Sequence, residues 1–141
     1  MIHIGIDTGV KTGFAAYDTK KRALVEVATM TITRAMDLVM VYRNIGLTVG
    51  EEIMLHIEDA RLRKWFGNAG WEKLQGAGSV KRDARIWEDF CKEKGIDFEM
   101  VPPRNNTTKL TTAQFRYITG WKKTSSEHAR DAAMLVYGLN Y

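Results

Sequence analysis

Two short apolar runs in this chain each end in an acid. Ile2-His3-Ile4-Gly5-Ile6 leads into Asp7, and Ile53-Met54-Leu55-His56-Ile57 leads into Glu58. Alternation with a period of two marks the first run as a strand, with Ile2, Ile4 and Ile6 on one face and His3, Gly5 and Asp7 on the other. A carboxylate kept in a largely buried place without a partner is expensive. Acids at the ends of core strands therefore need a shared purpose, and a divalent cation held between them supplies one.

A third acid stands far away in the chain. Asp131 lies in Ser126-Glu127-His128-Ala129-Arg130-Asp131-Ala132-Ala133, a small-residue helix opened by the capping box Thr124-Ser125-Ser126-Glu127. His128 and Asp131 are three apart and share a helix face. Neighbouring parallel strands would bring Asp7 and Glu58 to one carboxyl edge, where a packed helix can add the other two. Asp7, Glu58, His128 and Asp131 then form an oxygen-rich donor set suited to Mg²⁺ or Mn²⁺ rather than zinc. Two such ions about 3.5–4 Å apart would fit metal-assisted hydrolysis of a phosphodiester.

The remaining pattern supplies the frame. Phe14–Tyr17 and Ala23–Met30 read as strands joined by the polar hairpin loop 18–22, after a turn over Thr8–Gly13. Thr33 caps a helix over about 34–45, stopped near Gly46. Gly50-Glu51-Glu52 leads into the fourth strand, 53–58. A long helix starting at Trp71 or Val80 runs to Lys94. It carries Val80, Ala84, Trp87 and Cys91 on one stripe, with Gly95 beyond its end. Ile96–Val101 is a fifth strand, 111–119 a short helix, and the last helix runs to about Tyr137. Three hairpin-connected strands followed by two reached through helices predict a mixed five-stranded α/β sheet flanked by helices. The 141 residues fit one domain, residues 1–141.

Composition narrows the setting. Apolar residues make up 45% of the chain, enough for a core without disulfides. Cys91 is the single cysteine, which rules out an internal disulfide, fits a reducing compartment and leaves a Cys/His zinc site short of ligands. The first residues run straight into a strand pattern with no signal sequence, and no apolar stretch is long enough for a bilayer. The expected location is the cytoplasm. A net charge of +4 leans toward nucleic acid.

The segments IGIDTGVKTGFAAYD, MLHIEDA and SSEHARDAAMLVYG resemble the RuvC-like Holliday-junction resolvases of the RNase H-like superfamily. The matching positions are Asp7 in an Asp-x-Gly strand end, Glu58 ending the fourth strand, and His128 and Asp131 three apart on the C-terminal helix. The similarity runs through nearly the whole chain in order and spacing, while its specificity rests on these three motifs. The resemblance implies an RNase H-like fold, a homodimer, Mg²⁺ or Mn²⁺, and paired nicks in a four-way DNA junction. Family members often carry an aromatic residue three places after the Glu. Here Arg61 holds that place, and Trp65 and Phe66 follow.

Arg61-Leu62-Arg63-Lys64-Trp65-Phe66 interleaves cations for phosphates with rings for unpaired bases, directly after Glu58. Lys109, after the polar loop 104–108, and Lys11, in the turn after Asp7, are further phosphate candidates. The same carboxylates would also serve a YqgF-like or ribonuclease H-like enzyme acting on RNA, and a non-cleaving branched-DNA module is the alternative outside catalysis. Asp7-Thr8-Gly9 also resembles the phosphate loop of sugar-kinase and actin-like ATPases, but those need two such domains. Taken singly, Asp7 could cap its turn, Glu58 could pair with Arg61, and His128 could be a surface histidine. Asp59 is expected to point away from Glu58, and His3 and His56 to be satisfied core residues.

Overall fold

β1 (Ile2–Asp7) is the central strand of the sheet, and the parity of its residues sorts what packs on each face. The computed structural model describes residues 1–62, 71–103 and 109–141, with the helical backbone alone over 71–77. β1 pairs antiparallel with β2 (Lys11–Asp18), which pairs antiparallel with β3 (Ala23–Thr31). On its other side β1 pairs in parallel with β4 (Ile53–Glu58), and β4 in parallel with β5 (Phe98–Val101). The sheet order is β3-β2-β1-β4-β5, the mixed five-stranded α/β sheet expected from the sequence.

The even residues of β1 make the main core. Ile4 and Ile6 pack with Phe14, Ala16, Leu55 and Ile57 against Ala35 and Val39 of α1 (Ile32–Val49), and against Trp87 and Cys91 of α2 (Trp71–Lys94). Full burial of side chains of this size contributes about 1.5–3 kcal/mol each. Cys91 belongs to this core, and burial pushes its thiol up to about 12, far from a reactive thiolate.

The odd residues face a second, smaller layer. There Ala15 and Tyr17 meet Ala129, Ala132, Ala133 and Val136 from α4 (Glu127–Met134) and the turns after it, and Phe115 of α3 (Thr112–Thr119). Helix and sheet approach closely here because both surfaces are small. A Cβ on Gly5 would sit 2.1 Å from the Ala132 carbonyl oxygen, and one on Gly13 would sit 2.0 Å from that of His128. Glycine inside a strand often marks such an approach of another backbone. Gly13 pairs with Asp7 across the β1–β2 ladder, so the absence of its side chain seats α4 beside the acid.

Several element limits differ from expectation, each for a local reason. β2 starts at Lys11, because residues 11–13 continue the ladder opposite β3 rather than belonging to the turn. Thr31, not Thr33, caps α1, accepting from the Arg34 amide. The helix also passes through Gly46, which fits closely under the Glu51 carbonyl, and ends at Gly50 with φ 75°. Ser126 caps α4 through the Ala129 amide, and α4 ends at Met134, before the looser turns that continue toward Tyr137. The stop at Gly95 holds, with φ 65°. Among the described residues, no helix is long and apolar enough to cross a membrane.

Candidate active site

Parallel pairing of β1 and β4 brings Asp7 and Glu58 to the same edge of the sheet. Ile6 is level with Ile57, so the two acids are the next residues on adjoining strands. The Thr8 hydroxyl donates to the Glu58 carbonyl at 3.3 Å and ties the turn after β1 to the end of β4. Desolvation by burial, then the charge of Asp7 and a hydrogen bond with it, push Glu58 up to about 7. Asp7 is raised as well, first by burial, against the lowering effect of its bond with His128.

α4 delivers the other two side chains. His128 Nδ1 lies 3.0 Å from Asp7 Oδ2, across 121 residues of chain. Assigning the proton to Nδ1 lets the imidazole donate to the carboxylate. Asp131, one helical turn on, adds its charge to the fields at both Asp7 and Glu58. Asp7, Glu58, His128 and Asp131 thus come together at one edge of the molecule.

The position of α4 is fixed by its own sequence. The Ser126 hydroxyl bonds Thr29 of β3 as well as capping the helix. Arg130 points the other way and donates to the backbone oxygens of Leu110 and Ser125, at 3.0 and 2.5 Å. That clamp binds the segment before α3 to the start of α4. The roles of Arg130, Gly5 and Gly13 had not been singled out from the sequence. Gly5, at an odd position of the first strand pattern, was the available signal for the close approach, whereas Gly13 read as part of a turn.

Among the described residues, Lys109 is a cation set beside the acids. Lys109 Nζ is 2.5 Å from Asp131 Oδ2 and 3.3 Å from Glu127 Oε1. These bonds raise its pKa, led by the one to Asp131, and hold it charged. Its field also reaches Glu58, where it partly offsets the repulsion.

Three carboxylates and one imidazole are the right donors for a hard divalent cation. Burial first, and the charges of neighbouring acids after it, raise Asp7 and Glu58. With Asp131 turned to Lys109 and Asp7 to His128, no three His, Cys, Asp or Glu side chains among the described residues already stand at coordinating spacing. The residues match a hard divalent cation in donor type.

The other candidates divide. Lys11 opens β2 as an exposed side chain next to the turn that follows Asp7. Arg61 is engaged within the fold: its guanidinium donates to Asp59 at 2.8–3.1 Å and to Glu88 of α2 at 3.3 Å. Glu58 therefore has no pairing with Arg61, and Asp59 is a buried structural acid, as the alternation implied. Arg63, Lys64, Trp65, Phe66 and the loop 104–108 lie outside the described residues.

No protein-family model matches the chain, and no curated protein matches it.

Proposed function

We propose that the chain is a metal-dependent DNA endonuclease of the RuvC-like kind that resolves four-way junctions by paired nicks. The observation that carries this reading is the convergence of Asp7, Glu58, His128 and Asp131, from three distant parts of the sequence, at the carboxyl edge of β1 and β4. The mixed sheet is the one an RNase H-like fold implies, and the resemblance of the three motifs supplies the substrate.

Asp7, Glu58 and Asp131 would hold Mg²⁺ or Mn²⁺, with two ions per site. Bound ions provide Lewis-acid stabilisation of developing charge and a more acidic water for in-line attack on phosphorus. The chain's own contribution is placement. β1 and β4 fix two carboxylates by the sheet ladder, and α4 fixes a third. His128 is half exposed, and with Nδ1 bonded to Asp7 its Nε2 is left to take and pass on a proton from the attacking water. Lys109 and Lys11 present positive charge on the approach to the site, where the phosphate backbone would lie. A two-fold homodimer would set one such site on each of two opposed strands.

The test uses a labelled four-way junction, a plain duplex and an RNA–DNA hybrid, each with Mg²⁺ or EDTA. Symmetric nicking of the junction alone, lost with EDTA and in Asp7→Asn, is the expected result. Cutting of the hybrid alone would move the chain to RNA processing. Retention of the junction without any cutting would make it a binding module.

A further inference from the structure

We propose that Lys109 is an internal cation that gates the carboxylate cluster, making the binding of divalent metal and of nucleic-acid phosphate cooperative. The gate presupposes the metal-holding role proposed above and adds a rule for when the site loads.

The geometry behind it is specific. The Lys109 ammonium rests on Asp131 Oδ2, with Glu127 Oε1 as its second partner. Asp131 is also one of the three acids proposed to hold metal. A divalent cation at this carboxylate and an ammonium 2.5 Å from its oxygen repel each other, so metal entry costs the Lys109 contact. Lys109 gives that contact up at little structural expense. Its side chain is more than half exposed, while the next residue is pinned by the bond from Arg130 to the Leu110 carbonyl. The flexible stem swings while the backbone stays in place.

A phosphate oxygen is an equivalent partner for an ammonium. Nucleic acid bound at the edge of the cluster would draw Lys109 off Asp131 and leave the carboxylate to the metal. Metal bound first would release Lys109 to meet a phosphate. Coupling of this kind is reciprocal, so each ligand strengthens the other by the same factor. The cluster would then load fully only on substrate, which suppresses metal-loaded enzyme in free solution.

The test is calorimetric titration of the whole chain with Mn²⁺, with and without an uncleavable phosphorothioate four-way junction. Wild type is compared with K109M and E127Q, and each variant's melting curve serves as a check on folding. The expected result is Mn²⁺ binding to K109M about 5-fold or more tighter than to wild type in the absence of DNA, with a correspondingly smaller gain on adding DNA. E127Q, which removes only the outer partner, should move both quantities in the same direction and by less. Equal Mn²⁺ affinity in wild type and K109M, or an undiminished gain from DNA in K109M, overturns the gate and leaves the metal site standing. Failure of both proteins to bind Mn²⁺ overturns the metal reading and the gate with it. Cooperative Mn²⁺ and DNA binding without cleavage of an ordinary junction supports the gate and removes the nuclease assignment instead.

Discussion

His3 and His56 lie on the same face of β1 and β4 as Asp7 and Glu58, and the two polar clusters solve burial in opposite ways. At the histidine end every ring nitrogen has a partner. His3 Nδ1 meets His56 Nε2 at 2.7 Å, His3 Nε2 meets the Tyr141 backbone oxygen at 2.5 Å, and His56 Nδ1 meets Glu99 Oε1 at 2.6 Å. Burial lowers the pKa of His56, with Glu99 pulling the other way. The relay runs from the Tyr141 backbone oxygen through His3 and His56 to Glu99 and so joins β1, β4, β5 and Tyr141. At the acid end, one turn of the ladder away, three carboxylates share one histidine and one lysine. The strands and the face are the same, so burial alone does not distinguish a structural cluster from a functional one. Charge balance differs between them: the histidines are joined in a hydrogen-bonded chain, while Asp7 and Glu58 are both raised, first by burial and then by the neighbouring acids.

The sharpest way to break this contrast is to neutralise one acid. Asp7→Asn is expected to cut junction cleavage by about 10²–10³-fold, the usual scale for removing a group that organises charge at a reacting centre. The melting temperature of the metal-free protein should stay level or rise, because a repelling charge has gone. A large loss of stability instead would make Asp7 structural, like its histidine neighbours.

The complementary change is His56→Ala, which strips a buried partner from both His3 and Glu99. It should lower unfolding free energy by about 2–4 kcal/mol, from unpaired polar groups and a cavity, as read by denaturant melts. Cleavage below the melting transition should persist. Between the two clusters lies the contact that seats α4. Gly13→Ala should cost about 1–3 kcal/mol through overpacking against the His128 carbonyl, and should lower activity together with stability because His128 and Asp131 move with the helix.

Acidity offers a gentler comparison. Glu58 titrates at about 7 in the folded chain against 4.5 when unperturbed, so the native state binds the extra proton between those values. Its stabilising contribution is complete below about pH 4.5 and is lost as pH rises through about 7. Metal-free wild type should therefore lose roughly 2 kcal/mol from this group across that window, after allowance for partial solvent screening. Glu58→Gln should flatten the profile, and saturating Mg²⁺ should restore stability to wild type at neutral pH. A profile unaffected by the substitution would place the repulsion elsewhere. The smallest effect is expected at Lys11: Lys11→Ala should weaken junction binding a few-fold and reduce the salt slope by about 1, with no change in melting.

Much of this was legible in the chain. Alternation of apolar residues located β1 and β4 to the residue, because a two-sided strand needs an apolar side chain at every second place and the acids mark where that need stops. The hairpins, the long helix and the start of α4 were readable from local chemistry, within a few residues at their ends, although Ser126 rather than Thr124 caps α4. The spacing of His128 and Asp131 told which face of α4 mattered. Less was visible where one residue type had two uses. Lys109 read as a phosphate ligand, and the fold gives it an acid partner 22 residues away. Arg61 read as a nucleic-acid contact, and in the fold Asp59 and Glu88 hold its guanidinium. Gly5 read as an ordinary strand position and Gly13 as part of a turn, and both serve as the clearance for a helix.

By itself the sequence determined the elements, their faces and the kinds of side chain each face carries, since these follow from periodicity, capping and residue type within a few positions. Tertiary structure decided which charges would meet. The 2.7 Å contact between His3 and His56, the 3.0 Å contact between Asp7 and His128, and the hold of Lys109 on Asp131 each join residues from separate elements. Electrostatic balance depends on distance and burial, and both are set only when the sheet pairs and α4 closes over it.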